Sequence, residues 1–142
     1  MPAACLAVFT LTVGCGLAWP YLKPSLESAQ PDQHLVRVAR VIDGDTLVTA
    51  DGLTIRILNI DTAEMPPRSQ CDSEARLAQA AKARLQVLVA GGAVVTLTRE
   101  GSDLDRFGRS LRKVRIDGRD VGDVLVGEGL AQRWQGHKSQ WC

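Results

Sequence analysis

Three short runs of alternating apolar and polar residues lie within residues 35–60, and two Asp-Gly turns separate them. In the first run Val36 and Val38 fall on one face and Arg37 on the other, which is the periodicity of a β-strand. The second turn contains Asp51-Gly52, a pair typical of tight hairpins. The pattern predicts a three-stranded antiparallel meander, so the chain must build a fold around an antiparallel sheet.

The rest of the chain predicts a long helix, two more strands and a short helix. The expected elements are a helix over 72–90, strands over 93–99 and 110–116, and a helix over 121–128. Asp72 or Ser73 is the expected N-cap of the long helix, and Gly91-Gly92 its end. Five strands with a long helix between the third and fourth indicate the α+β class and a five-stranded OB-fold barrel.

The first 34 residues differ in composition from this domain, which is assigned to residues 35–142. Residues 2–22 carry no charge, which predicts an apolar helix that is a signal peptide or a membrane anchor, with a buried N-terminal helix as the alternative. Uncleaved, it would bind the chain to a membrane. Residues 23–34 form a polar linker. No Lys or Arg precedes the apolar run, and the charges that follow it favour an inside domain by the positive-inside rule.

Cys71 and Cys142 are the only cysteines of the globular part, and their spacing is not that of a zinc site. A disulfide between them would close a long loop and would require an oxidising compartment. We give this cysteine pair more weight than the distribution of charges on either side of residues 2–22. The expected location is therefore extracytoplasmic, periplasmic or secreted, with residues 2–22 as the anchor if they are retained.

Four acids stand at predicted strand ends and loops: Asp43, Asp45, Asp61 and Glu64. The meander should bring Asp45 and Asp61 to the same end of the sheet, where two carboxylates repel unless a divalent cation neutralises them. Oxygen ligands on loops suit calcium or magnesium. The alternative is that the Asp-Gly-Asp sequence is only a turn and that Asp61 is only a cap.

Arg56 and Arg109 complete a set that could hydrolyse a phosphodiester, because arginine binds phosphate oxygens in a bidentate manner. A metal, two arginines and a spare carboxylate together meet the needs of in-line hydrolysis. An arginine taken alone is more often a surface ion-pair partner than a catalytic residue. Net charge is +1, from 17 Lys and Arg against 16 Asp and Glu, which excludes a partner bound by bulk charge alone.

At four places the sequence resembles the staphylococcal-nuclease-like (thermonuclease) family. The matching blocks are residues 41–46 (VIDGDT), Arg56, residues 61–64 (DTAE) and residues 105–109 (DRFGR), followed by a similar strand-turn-helix over 117–131. The blocks occur in order and with family-like spacing over about residues 36–134, which makes the resemblance specific. It implies an OB-fold endonuclease that uses calcium, or another divalent cation, to cut DNA and RNA.

The resemblance also implies a role for each matching residue. Asp45, Asp61 and the backbone carbonyl of Thr62 would bind the metal, and Asp43 would lie beside it. Glu64 would act as general base, and Arg56 and Arg109 would contact the scissile phosphate.

The chain departs from the family at three places. Ala63 replaces a usual proline and Phe107 a common tyrosine, and the tyrosines that pack on the nucleotide are missing near the end of the match. Base stacking would then fall to Trp134 or be absent.

Two functions from different classes follow. One is a metal-dependent endonuclease, acting as a monomer on DNA, RNA or both. The other is a catalytically silent OB-fold module that binds nucleic acid or a protein partner. The fold alone does not distinguish these two functions. The joint presence of the metal acids, the two arginines and Glu64 favours the enzyme.

Overall fold

The structure is a computed structural model that describes residues 32–142. The predicted apolar helix and most of the predicted linker lie outside this range. Within it, no helix combines the length and apolar character needed to cross a membrane. The first strand begins at Gln33, two residues before the domain boundary expected from the alternation.

Eight strands and two helices make up the domain. In chain order they are β1 (Gln33–Asp43), β2 (Thr46–Thr49), β3 (Thr54–Ile57), β4 (Ile60–Asp61), α1 (Asp72–Leu88), β5 (Val94–Thr98), β6 (Ser110–Ile116), β7 (Arg119–Asp120), α2 (Val121–Gly127) and β8 (Gln132–Arg133).

Five of these strands close into a barrel. β1 pairs antiparallel with both β2 and β5, β2 pairs with β3, and β5 pairs with β6. A parallel pairing of β3 with β6 closes the ring. The pairing of β1 with β2 shifts register between Val38 and Arg40 and again between Val41 and Asp43, and such bulges bend a strand so that it can serve two halves of a barrel. The predicted α+β class and five-stranded barrel are confirmed, and the arrangement is consistent with the OB fold.

Aliphatic side chains fill the barrel, as a chain with 4% aromatic residues requires. The largest fully buried ones are Leu47, Ile55, Ile57, Ile60, Leu85 and Leu125. Helix α1 packs against β1 through its buried face, which includes Ala78, Ala81 and Leu85. This helix therefore lies directly behind the β1–β2 turn.

Two predictions about local structure were wrong. The N-cap of α1 is Cys71 rather than Asp72 or Ser73, and it makes no side-chain capping bond. The third predicted strand is divided: β3 ends at Ile57, and β4 follows Asn59, whose positive φ of 66° turns the chain. β4 then pairs with β8 rather than with the barrel, a contact between residues distant in sequence that no periodicity signals.

The last nine residues, 134–142, are here called the tail. Its start is fixed by β8 and by the Trp134 backbone N–H, which donates to the carbonyl of Asn59 at 2.9 Å. Its end is fixed by a disulfide from Cys142 to Cys71, with the two Cα atoms 6.0 Å apart. The tail is thus held at both ends against one end of the barrel.

Candidate active site

The turn between β1 and β2 places Asp45 inside the protein. A Cβ on Gly44 would lie 2.6 Å from the Cβ of Ala81 on α1, so only glycine allows the turn to approach the helix this closely. Asp43 Oδ1 accepts a hydrogen bond from the Asp45 backbone N–H at 3.2 Å and thereby fixes the turn. Asp45 is consequently buried.

Asp45 is the centre of a hydrogen-bonded cluster. Its Oδ2 accepts from the Thr62 hydroxyl at 3.0 Å and lies 3.1 Å from Arg56 Nη2. Its Oδ1 accepts from the Thr46 hydroxyl at 3.0 Å. Three segments that are separate in sequence therefore meet at one carboxylate.

Arg56 brings the two predicted metal acids together. Its Nη2 lies 3.1 Å from Asp45 Oδ2 and 3.8 Å from Asp61 Oδ1, while the guanidinium also donates to the carbonyls of Ile57 and Ile60 at 2.6 and 2.8 Å. Asp61 is fully buried and the Arg56 side chain is 11% exposed. One nearly buried cation thus contacts both acids, so Asp45 and Asp61 share one end of the barrel.

Asp43 and Asp45 lie close together at the β1–β2 turn. Burial, together with repulsion from Asp45, raises the pKa of Asp43 to about 6. Burial is the larger of these two causes, and the contribution of Asp45 reflects the closeness of the two carboxylates.

Arg109 reaches the same cluster from the loop before β6. Its Nε donates to Asp105 Oδ2 at 2.7 Å, and its Nη1 lies 3.4 Å from the Thr46 hydroxyl that donates to Asp45. Asp105 also accepts from the backbone N–H groups of Phe107 and Arg109. The loop is therefore folded around Asp105, which orients Arg109 toward Asp45.

Glu64 lies in the loop after β4 between two cations. Its Oε2 accepts from Arg68 Nε at 2.8 Å and its Oε1 lies 2.5 Å from Lys138 Nζ. Burial acts to raise the pKa of Glu64, but the hydrogen bonds from Lys138 and Arg68 outweigh it and lower the pKa below its ordinary value. Glu64 is therefore ionised but fully paired in this arrangement.

Sequence reasoning missed three residues of the site. Lys138 Nζ donates to Asp61 Oδ1 at 2.8 Å, and the Ser139 backbone N–H donates to Asp61 Oδ2 at 2.9 Å. Glu74, which is buried, accepts from the backbone N–H of Glu64 at 3.2 Å and of Gln70 at 2.6 Å. Glu74 stands three residues after the N-cap, where an acid commonly accepts a hydrogen bond from a backbone N–H before the helix. The sequence therefore carried a signal for Glu74. No comparable signal marks the tail residues.

The remaining predicted residues lie around this centre. Trp134 is 45% exposed, so its ring is open to solvent at the start of the tail. Within residues 32–142, the only three potential ligand atoms that lie mutually close belong to Cys71, Glu74 and Cys142. Their two sulfurs form the disulfide and offer no thiolate, so this group is not a metal site as it stands.

Comparison with known proteins relates the chain to endonucleases. It is 36% identical over 100 residues to the SPbeta prophage-derived endonuclease YokF and 35% identical over 100 residues to the endonuclease YncB, both of Bacillus subtilis strain 168. Each alignment covers 68% of this chain, but 33% of the first protein and 46% of the second, so the chain spans less than half of either relative. No protein-family model matches the chain. The fold and site thus define a small α+β barrel related to endonucleases.

Proposed function

We propose that the chain is a calcium-dependent endonuclease of the staphylococcal-nuclease-like family that hydrolyses phosphodiester bonds of DNA, RNA or both. The observation that carries the proposal is the contact of Arg56 with both Asp45 and Asp61. Arg109 joins this cluster through the hydroxyl of Thr46, which donates to Asp45. The relatives named as endonucleases support it at the level of nuclease activity.

The donor set suits a hard divalent cation. Asp45 and Asp61 offer buried carboxylate oxygens, and the Thr62 carbonyl would be the further ligand, with Asp43 beside them. Calcium and magnesium bind such oxygen sets, so calcium is proposed and another divalent ion could replace it. When bound, the ion would polarise a phosphoryl oxygen of the substrate.

The chain's own side chains would supply the other functions of hydrolysis. Arg109 is oriented by Asp105 and is 29% exposed, so its outer N–H groups can bind a phosphate that enters from solvent. Arg56, beside the acids, would stabilise charge that grows on the phosphoryl group. Glu64 would orient a water molecule and accept its proton. Trp134 would stack on a base, because its ring is exposed.

The setting of this activity is also proposed. A disulfide that holds the tail beside the site would persist in the periplasm or outside the cell, with residues 2–22 as signal or anchor. The enzyme is proposed to act as a monomer.

A silent binding module is the second candidate, and one observation favours it. Both carboxylate oxygens of Glu64 are paired with cations, and Lys138 also contacts Asp61. In that arrangement Glu64 is not free to accept a proton. A module that only binds nucleic acid would retain the arginines and need no free base.

Cleavage of single-stranded DNA and RNA by the purified protein, with calcium and with chelator, separates the candidates. The proposal expects cleavage that chelation abolishes, and Glu64→Gln should lower turnover by about two to four orders of magnitude while the circular dichroism spectrum is retained. Glu128→Gln is the matched control, because Glu128 pairs with Arg84 at 2.8 Å on the surface away from the site. Binding of labelled DNA without cleavage under any divalent ion would establish the module instead.

A further inference from the structure

We propose that Lys138 is a tethered competitor of the divalent cation: its ammonium occupies Asp61 and Glu64 when no metal is bound and must leave when metal binds. The inference rests on the metal site proposed above and assigns the tail a part in it. Lys138 would then set the concentration of metal at which the site becomes occupied.

The contacts of Lys138 are those of a cation in an acidic site. Its Nζ lies 2.8 Å from Asp61 Oδ1 and 2.5 Å from Glu64 Oε1. The other oxygen of Asp61 accepts from the Ser139 backbone N–H at 2.9 Å, so both oxygens of this buried acid are occupied by the tail. A metal on Asp61 would lie beside at least one of these donors, and of the two only Lys138 carries a positive charge.

The tail holds Lys138 at this position from both sides. Upstream, Arg133 of β8 pairs with Ile60 of β4, the residue just before Asp61. Downstream, Cys142 is bonded to Cys71, the N-cap of the helix whose first turn anchors the Glu64 loop. A tether at each end keeps the ammonium near the acids at a high effective concentration, as a linked ligand does.

Electrostatics makes the lysine and the metal mutually exclusive. An ammonium within hydrogen-bonding distance of Asp61 would repel a divalent ion on the same carboxylate by several times the thermal energy, even at the moderate dielectric of a protein surface. The Lys138 side chain is 54% exposed, so its ammonium can move into water, and the divalent ion would then compensate the buried charge of Asp61. Arg56, which is nearly buried and bonded to two carbonyls, has no such exit.

One displacement would have two effects. Departure of Lys138 frees Asp61 Oδ1 for the metal and Glu64 Oε1 for a water molecule, because the same ammonium contacts both oxygens. Metal binding would thereby release the general base.

Calorimetric titration with calcium chloride, in the absence of substrate, tests the proposal on the wild type and on Lys138→Gln. The variant should bind calcium about tenfold more tightly or better, because the competing charge is gone. Lys138→Arg keeps the charge and should bind no more tightly than the wild type. Lys113→Gln is the matched control, since Lys113 pairs with Glu100 at 3.2 Å rather than with the site acids, and it should leave calcium affinity unchanged.

The disulfide provides an independent arm. Replacement of both Cys71 and Cys142 with serine releases one end of the tail and should raise calcium affinity in the same direction as Lys138→Gln, while adding nothing to the Lys138→Gln background. If the two changes raise calcium affinity additively, the disulfide does not act through Lys138, and the proposed role of the tail as a tether is wrong.

The outcomes separate this inference from the proposed function. Equal calcium affinity of wild type and Lys138→Gln, or weaker binding by the variant, overturns the competitor role while metal-dependent cleavage by the wild type leaves the nuclease proposal in place. No calcium binding by either protein, with no cleavage under any divalent ion, overturns both. Circular dichroism on each variant shows that a change in affinity does not reflect unfolding.

Discussion

The buried carboxylate of Glu74 accepts a hydrogen bond from the backbone N–H of Glu64 at 3.2 Å. Its second oxygen accepts from the Gln70 N–H at 2.6 Å. One acid in the first turn of α1 therefore fixes both ends of the loop that carries the proposed base. The helix supports this loop through the contact, although none of the residues proposed to react lies on the helix.

Glu74→Gln should weaken this support. The amide nitrogen cannot accept a hydrogen bond, so one of the two loop N–H groups loses its partner, at a cost of about 1–3 kcal/mol in the free energy of unfolding. Because Glu64 would then be less well oriented, turnover should fall while KM changes little. Urea unfolding and steady-state kinetics measure the two effects. Asp72→Asn, an exposed acid in the same turn, should change neither quantity; equal effects of the two substitutions would contradict the role of Glu74.

Gly44→Ala should disturb Asp45 through contact with α1. The added Cβ would lie 2.6 Å from the Cβ of Ala81, so the turn or the helix must shift, at a cost of about 1–3 kcal/mol. Activity should fall with stability because Asp45 follows directly in the turn. Combining it with Ala81→Gly removes the clash, and thermal unfolding of the double-mutant cycle should show a favourable coupling. Strict additivity would mean that the close contact is not the cause.

Loss of the disulfide should lower stability substantially. Cys71 and Cys142 are 71 residues apart in sequence, and a cross-link over such a loop stabilises by about 4 kcal/mol in the chain-entropy treatment. Guanidinium unfolding of the wild type and of the double serine variant measures the difference. Each single variant should lose as much as the double one, because either removes the whole cross-link. An unchanged midpoint would show that the bond contributes nothing.

Asp105→Asn should reveal a pH-dependent contribution to stability. Burial acts to raise the pKa of Asp105, but hydrogen bonds from Arg109 and Phe107 outweigh it and place the pKa below its ordinary value of 3.8. An acid whose pKa is lowered by folding stabilises the native state above its unfolded pKa, and this stabilisation is lost as the pH falls through the folded pKa. The melting temperature of the variant should therefore be lower than that of the wild type at pH 7, and the difference should begin to shrink near about pH 4 and disappear once the pH is below the folded pKa. A difference that persists undiminished at pH 3 would contradict the charge-based explanation.

The sequence was sufficient to predict the barrel and to predict that Asp45 and Asp61 lie close together. Strand alternation, two Asp-Gly turns and helical spacing are local patterns, and a meander brings the ends of its first and third strands together without further information. The boundaries were less accurate, because Asn59 ends β3 by a positive φ that its residue type permits but does not require. The N-cap of α1 was misplaced because the helix begins at Asp72 after Cys71, a residue whose side chain makes no capping hydrogen bond and whose type therefore does not signal a helix start.

By itself, then, the sequence determined where the four proposed site residues stand along the chain: Asp45, Asp61, Arg56 and Arg109 lie at the turns and strands that its periodicity defines. Only the tertiary structure decided that the tail crosses the site and that Lys138 contacts Asp61 and Glu64. The path of a segment without periodicity is set by contacts distant in sequence, here the pairing of β8 with β4 and the bond to Cys71. Such contacts are decided by the folded surface as a whole, and local spacing carries no record of them.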